Sequence, residues 1–215
     1  ILFVISFFGD SLHRIMRGID TIAAISPSKF KELKDEGYTF FIGRVGRSNG
    51  LIDNIGVQNI KNAWEGGMNL VEAYLFPSHS TSAGTAQEQV RASVNALACT
   101  NIDRLWIDVE IHNWPVNQAI NRQFILDMIA EAKVLNVPVG IYSNKNNWQS
   151  IVGLDWSGVS EYPLWWARYD NQVRINYRLK TIIYYVVHDA KFQSNCDSFA
   201  SFGGWSVPAM KQFHL

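Results

Sequence analysis

Residues 104–111 read RLWIDVEI and hold two carboxylates at a spacing that can do chemistry. Strand side chains alternate between two faces, so Leu105, Ile107, Val109 and Ile111 form an apolar face while Trp106, Asp108 and Glu110 share the other. A buried parallel strand is ordinarily apolar on both faces, and an unpaired carboxylate on the inner one carries a large desolvation cost. Residues two apart on a strand lie roughly 6.5 Å apart at Cα. Rotamers can bring such carboxyls into the roughly 5–9.5 Å range of paired glycosidase acids, a spacing that suits a sugar acetal held between them. The plain alternative is that Asp108 and Glu110 pair with arginines or cap a helix at the strand's end, and the strand alone does not decide between the two.

Other chemistries lack their signatures. There is no H-E-x-x-H, C-x-x-C or G-x-x-x-x-G-K-[ST], and the glycines of GRVGRSNG do not have dinucleotide-loop spacing. The five histidines, His13, His79, His112, His188 and His214, have no ligand spacing, so no metal site and no cofactor are expected. Nineteen basic and nineteen acidic residues cancel, which leaves no electrostatic footprint for nucleic acid or an anionic membrane. Recognition must then come from a cleft. Aromatic residues make up 13% of the chain, with eight Trp, a composition that suits stacking on sugar rings and equally suits an aromatic core.

The elements that must position the acids follow a regular alternation. Gly18-Ile19-Asp20-Thr21 reads as a short strand ending in an acid, and Ser26-Pro27 opens a helix that Gly37 stops. Residues 38–45 are strand-like, and Ile55, Ile60 and Ala63 mark a second helix ending at Gly66-Gly67. Residues 69–76 form a third strand with Glu72, Tyr74 and Phe76 on one side, and Thr85 with Glu88 makes a capping box for a helix facing inward through Val90, Val94 and Leu97. After the RLWIDVEI strand comes the longest helix, residues 117–136, with Ile120, Phe124, Met128, Ala132 and Leu135 as its buried stripe. Residues 137–144, a short helix at 146–151 and residues 163–169 complete the series. The order predicts an α/β fold, a (β/α) barrel of 18–215 with its useful residues at the carboxyl ends of the strands, where Asp20, Tyr74, Glu110, Asn144 and Tyr169 fall.

Two stretches stand apart. The opening ILFVISFF is too short to span a bilayer and reads as a signal-peptide remnant, so residues 1–17 are set outside the fold and the protein is expected to be secreted. Residues 172–195 pass from basic VRINYRLK to apolar TIIYYVVH and are either a further strand or an insertion. Cys99 and Cys196 make neither a zinc set nor a disulfide framework.

Taken together, several pieces resemble glycoside hydrolase family 25, the N-acetylmuramidase type of lysozyme, and especially its eukaryotic invertebrate branch. They are Gly18-Ile-Asp20 with Ser26, Ala73-Tyr74 with Phe76-Pro77, and Trp106-Ile-Asp108-Val-Glu110 with Trp114. Further along are Gly140-Ile-Tyr142-Ser-Asn144 with Asn147-Trp148, Leu164-Trp165-Trp-Ala-Arg-Tyr169-Asp170, and Phe202-Gly-Gly-Trp205 with Pro208 and Lys211-Gln212-Phe213. The resemblance implies an irregular barrel of β/α units completed by plain strands. It also implies cleavage of the β-1,4 bond between N-acetylmuramic acid and N-acetylglucosamine in bacterial peptidoglycan by a monomeric enzyme, in defence or digestion. Glu110 would be the general acid, Asp108 its companion carboxylate, and Asp20 a further support for positive charge at the anomeric carbon. Tyr74, Trp106, Tyr142, Trp165, Tyr169 and Gln212 would contact substrate.

The likeness lapses over 172–195 and at His214-Leu215, where the family continues to a strand bearing D-x-N. Either TIIYYVVH or the strand ending at Phe213 must then close the barrel; otherwise it stays open beside Asp20, which predicts weakened activity. The reading from another functional class is a lysozyme-like protein that binds glycan without cleaving it. A chitinase-type barrel fits less well, because its run of carboxylates along one strand is missing.

Overall fold

The computed structural model describes residues 2–7, 16–98, 100–168, 196 and 198–214. Tyr169, the 172–195 segment and Cys99, with its pairing to Cys196, lie outside the described residues. Among the described residues eight strands form a closed barrel in chain order: β1 (Leu2–Phe7), β2 (Met16–Thr21), β3 (Tyr38–Gly46), β4 (Leu70–Leu75), β5 (Leu105–Asp108), β6 (Val139–Ser143), β7 (Leu164–Ala167) and β8 (Met210–His214). Strands β2 to β8 run parallel, and β1 lies antiparallel between β2 and β8. The helices α1 (Pro27–Asp35), α2 (Asn54–Glu65), α3 (Ala86–Leu97), α4 (Gln118–Val134) and α5 (Lys145–Ile151) stand in the connections between successive strands.

Local chemistry explains where these helices start. Ser26 accepts from the Lys29 N–H ahead of Pro27, Thr85 and Glu88 form the reciprocal capping box, and Asn117 and Asn144 cap α4 and α5 through their side chains. Asp53 caps α2 with Oδ1 while its Oδ2 meets Arg44 at 2.7 Å.

The alternation of strand side chains divides the apolar residues into two cores. Outward-pointing Ile19, Phe41, Val71, Leu105, Ile107, Ile141 and Leu164 pack with Phe30, Ile60, Val90, Ile125 and Met128 of the helices. Inward-pointing Phe40, Ile42, Trp106, Tyr142, Trp165, Ala167 and Met210 fill the barrel. At Gly140 a Cβ would stand 2.3 Å from the Trp106 ring, so the absence of a side chain there makes room for the indole.

Three expectations are corrected. The apolar opening does not lie outside the fold: Leu2–Phe7 is β1, and residues 16 and 17 belong to β2. A largely apolar run, LFVISF, satisfies a strand that pairs on both edges as well as it does a leader. The RLWIDVEI strand ends early, at Asp108, so Ile111 is 62% exposed instead of continuing the apolar face. The stripe of α4 is rotated by one position, burying Asn121, Ile125, Met128 and Ala132 while Ile120 is exposed. Asn121 fixes that rotation by donating to the carbonyls of Pro115 and Ile151, both at 2.8 Å. The closure that the sequence left open is supplied by β8, the strand running through Phe213, together with β1. Among the described residues no helix is long and apolar enough to cross a membrane.

Candidate active site

The inward parity of β2 and β5 brings Asp20 and Asp108 to the carboxyl ends of their strands, on the same side of the barrel wall. Beyond β5 the backbone is held by its neighbours: the Val109 N–H donates to the Tyr142 carbonyl at 2.8 Å, and the Ser143 hydroxyl donates to the Val109 carbonyl at 2.8 Å. Glu110 therefore stands on a pinned stretch of backbone just past the strand. Asp20 and Asp108 are each 5% exposed, whereas Glu110 is only half-buried. Of the three acids, Glu110 is the one an external oxygen can reach.

Their charges conflict. Burial, then the Glu110 charge, push the Asp20 carboxyl up from 3.8 to about 8, against the pull of its Gln212 hydrogen bond. Burial and the charges of Glu110 and Asp20 hold Asp108 well above the ordinary carboxylate range, with Arg44 opposing. Glu110 is raised chiefly by burial, and its hydrogen bond to Tyr142 opposes that rise. All three carboxyls are raised and Asp20 stands at about 8, so the site retains an acidic proton at neutral pH.

The surrounding residues come from other strands. Tyr142 Oη donates to Gln212 Oε1 at 2.5 Å, and Gln212 Nε2 donates to Asp20 Oδ2 at 2.9 Å. Tyr74 and Tyr142 both contact the Trp165 ring edge-on, with centroids 6.2 and 4.6 Å away. Among the described residues, Asp20 Oδ1, Asp108 Oδ1 and Trp165 Nε1 are buried without a hydrogen-bond partner. A sugar's hydroxyl and amide groups could satisfy such atoms.

The structure thus gathers Asp20, Asp108, Glu110, Tyr74, Tyr142, Trp165 and Gln212 at one end of the barrel. Trp106 is not among them. It has no accessible surface, its indole N–H goes to Glu72 Oε2 at 2.6 Å, and its ring packs on Trp165, so no face is open to a sugar. Asn144 is occupied as the α5 cap. Two polar residues in the barrel carry roles that sequence reasoning did not assign. Arg44 projects inward from β3, pairs with Asp53 and is the cation opposing the Asp108 shift. Its signal was present: a charge on the inner face of FFIGRV, in step with Phe40 and Ile42. Glu72 lies deeper, pushed up to about 7 by burial.

A pair of acids at the carboxyl end of a (β/α) barrel, with a third carboxyl beside them, is an arrangement of the kind that barrel glycosidases use. Over residues 12–213 the chain matches the family model described as Lysozyme-like protein 1. It is 40% identical over 211 residues to Lysozyme-like protein 5 of Caenorhabditis elegans, covering 97% of this chain and 88% of that protein. It is 30% identical over 199 residues to Probable GH family 25 lysozyme 4 of Dictyostelium discoideum, covering 92% of this chain and 82% of the relative. In fold it is similar to the muramidase from Trichobolus zukalii, with a TM-score of 0.64 over 91% of this chain and 86% of the other, at 17% identity. The chain belongs to the lysozyme-like proteins of glycoside hydrolase family 25.

Proposed function

We propose that this chain is a secreted, monomeric muramidase that cleaves the β-1,4 bond between N-acetylmuramic acid and N-acetylglucosamine in peptidoglycan, serving defence or digestion. The observation that carries the reading is the convergence of Asp20, Asp108 and Glu110, with the least buried of them raised in pKa. Glu110 gives its proton to the glycosidic oxygen as the C–O bond breaks. Asp108, relieved of the Glu110 charge while that carboxyl is protonated, takes the ionised role and supports the positive charge left at the anomeric carbon, either directly or by steadying the sugar's own acetamido group. Water then adds to that carbon and returns a proton to the Glu110 carboxylate. Asp20 adds to the negative field around the cation where it is ionised, toward and above about pH 8, and below that stands beside the acids as a neutral hydrogen-bonding group. The expected weakening of activity rested on a barrel open beside Asp20, and the pairing of β1 with β2 and β8 removes that ground.

Clearing of Gram-positive cell walls, with analysis of the released muropeptide ends, tests the reading. New reducing ends on N-acetylmuramic acid are expected. Glu110→Gln keeps the shape but has no acidic proton, so lysis should fall by about 10²–10⁴-fold without loss of the fold. Asp108→Asn should lower kcat more than it raises KM, and more than Asp20→Asn does. A folded wild-type chain that binds walls and releases no reducing ends would instead be the glycan-binding protein of the alternative reading.

A further inference from the structure

The reaction above gives no part to Asn147, although the motif Asn147-Trp148 stands out in the sequence. Its side-chain Oδ1 accepts the Ile111 backbone N–H at 3.4 Å, and a backbone donor there fixes which end of the amide faces Ile111. Glu110 is thus held on both sides. Ahead of it, the Val109 N–H and carbonyl are bonded to the Tyr142 carbonyl and the Ser143 hydroxyl, both at 2.8 Å. After it, the pin comes from Asn147. Among the described residues, the next bonded backbone group along the chain is the Pro115 carbonyl, which takes the Asn121 amide at 2.8 Å. Packing does not replace the pin at Ile111. That side chain is 62% exposed, and the exposed His112 leans on Phe76 with ring centroids 5.5 Å apart, a contact that bonds no backbone group. Asn147 itself is firmly placed: the third residue of α5, it gives its own N–H to Asn144 Oδ1 at 2.9 Å. The next residue, Trp148, is wholly buried, with its indole N–H on the Trp156 carbonyl at 3.1 Å.

We propose that Asn147 is a positioning residue: by bonding the Ile111 N–H it fixes the backbone beyond Glu110, so that the carboxyl meets the glycosidic oxygen. A general acid must come within hydrogen-bond reach of the atom it protonates, and a misplacement of about 1 Å can cost about a hundredfold in rate. Asn147 touches Glu110 only through this backbone bond, so its effect falls on proton delivery and not on substrate binding. The inference rests on Glu110 being the acid of the reaction proposed above.

The test compares Asn147→Leu, of similar shape but without an acceptor, with Asn147→Asp, which keeps one. Each is assayed on soluble, uncrosslinked peptidoglycan chains and on a dinitrophenyl glycoside of a disaccharide ending in N-acetylmuramic acid, whose leaving group departs without protonation. Asn147→Leu should lower kcat on the glycan by about 10–100-fold, with KM and the dinitrophenyl rate each within about twofold of the wild type. Asn147→Asp, read at its own pH optimum, should recover most of the loss. A residue that only fills space predicts the reverse order, because Leu suits a site that is 9% exposed better than a carboxylate does. Equal losses on the two substrates would make Asn147 a structural residue and overturn the proposal. So would an undiminished kcat in Asn147→Leu, or an Asp variant no faster than the Leu one. Should Asn147→Leu not fold, as read by its circular dichroism melt, Asn147→Ala is held to the same outcomes. Hydrogen exchange at the Ile111 amide, followed by NMR without substrate, should quicken in the Leu variant and not in the Asp variant. Exchange that is alike in all three proteins would refute the bond whether or not the chain turns over. A wild type that cleaves neither substrate, with its Ile111 amide protected, would instead sink the muramidase reading and the role at Glu110 with it, leaving the bond in place.

Discussion

At the scale of single residues, the barrel interior tolerates carboxyls by keeping them protonated, and that makes stability depend on pH in a predictable direction. Asp20 has a folded pKa near 8 against 3.8 in a free carboxyl. Its contribution is therefore fully present below about 3.8 and is lost as pH rises toward 8. Asp20→Asn removes the titration, so its melting temperature should match the wild type near pH 3.5 and exceed it by about 5 °C near pH 8, while lysis falls. Glu72 makes the comparison clean. Raised by burial from 4.5 to about 7, it bonds the Trp106 indole and takes no part in the proposed reaction. Glu72→Gln should likewise gain stability above pH 7, with wild-type lysis at every pH; scanning calorimetry across pH checks both, and equal gains at pH 3.5 and pH 8 would refute the argument. The D-x-E pair was legible because strand parity is local. The occupation of Gln212 was not, because its bond to Asp20 joins residues 192 positions apart.

At the scale of elements, the helices were legible from their caps and the strands from their alternation, since both signals lie within a few residues. What failed was rotation and length. The α4 stripe turned on Asn121, a polar residue whose two carbonyl partners lie in the α4-preceding loop and in α5 and cannot be foreseen from periodicity. β5 stopped at Asp108 because Ser143 takes over the Val109 carbonyl, and this early end is what lifts Glu110 out of the barrel wall. Packing of α2 on β3 depends on a close approach that a pattern of apolar residues does not encode. A Cβ on Gly56 would fall 1.7 Å from the Arg44 carbonyl oxygen, which is backbone and cannot swing aside. Gly56→Ala should push α2 off β3 and destabilise the protein by about 1–3 kcal/mol. Because Arg44 reaches Asp53, the residue capping α2, the same shift should disturb the cation facing Asp108 and lower lysis in the folded fraction. Urea unfolding with activity measured per folded molecule separates the two losses, and a variant of wild-type stability would mean that the approach is looser than described.

At the scale of the whole molecule, closure decides whether the site exists, and closure was the feature least visible in the sequence. A largely apolar run looks alike whether it is a leader or a strand paired on both edges, and only the distant partners β2 and β8 distinguish them. β1 places Phe3 opposite Asp20 on one side, and on the other it places Ile5 opposite Gln212. The Asp20–Gln212 hydrogen bond therefore reaches across this strand, and its 2.9 Å length depends on β1 holding β2 and β8 at the spacing of a continuous sheet. A proline within a central strand removes a ladder hydrogen bond and strains its neighbours, whereas one at a strand's first residue is tolerated. Ile5→Pro should accordingly open the seam, costing about 3 kcal/mol and exposing two strand edges, with aggregation that grows with protein concentration. Leu2→Pro, at the first position of β1, should come within about 1 kcal/mol of the wild type. Lysis should follow the same order, because an open seam separates Asp20 from Gln212 and admits water to the acids, weakening the electrostatic support that a dry site supplies. Thermal melts, light scattering and wall clearing on the two variants would test this together. Wild-type melting and lysis in Ile5→Pro would mean that β1 does not carry the closure, and the link between Asp20 and Gln212 would then need another support.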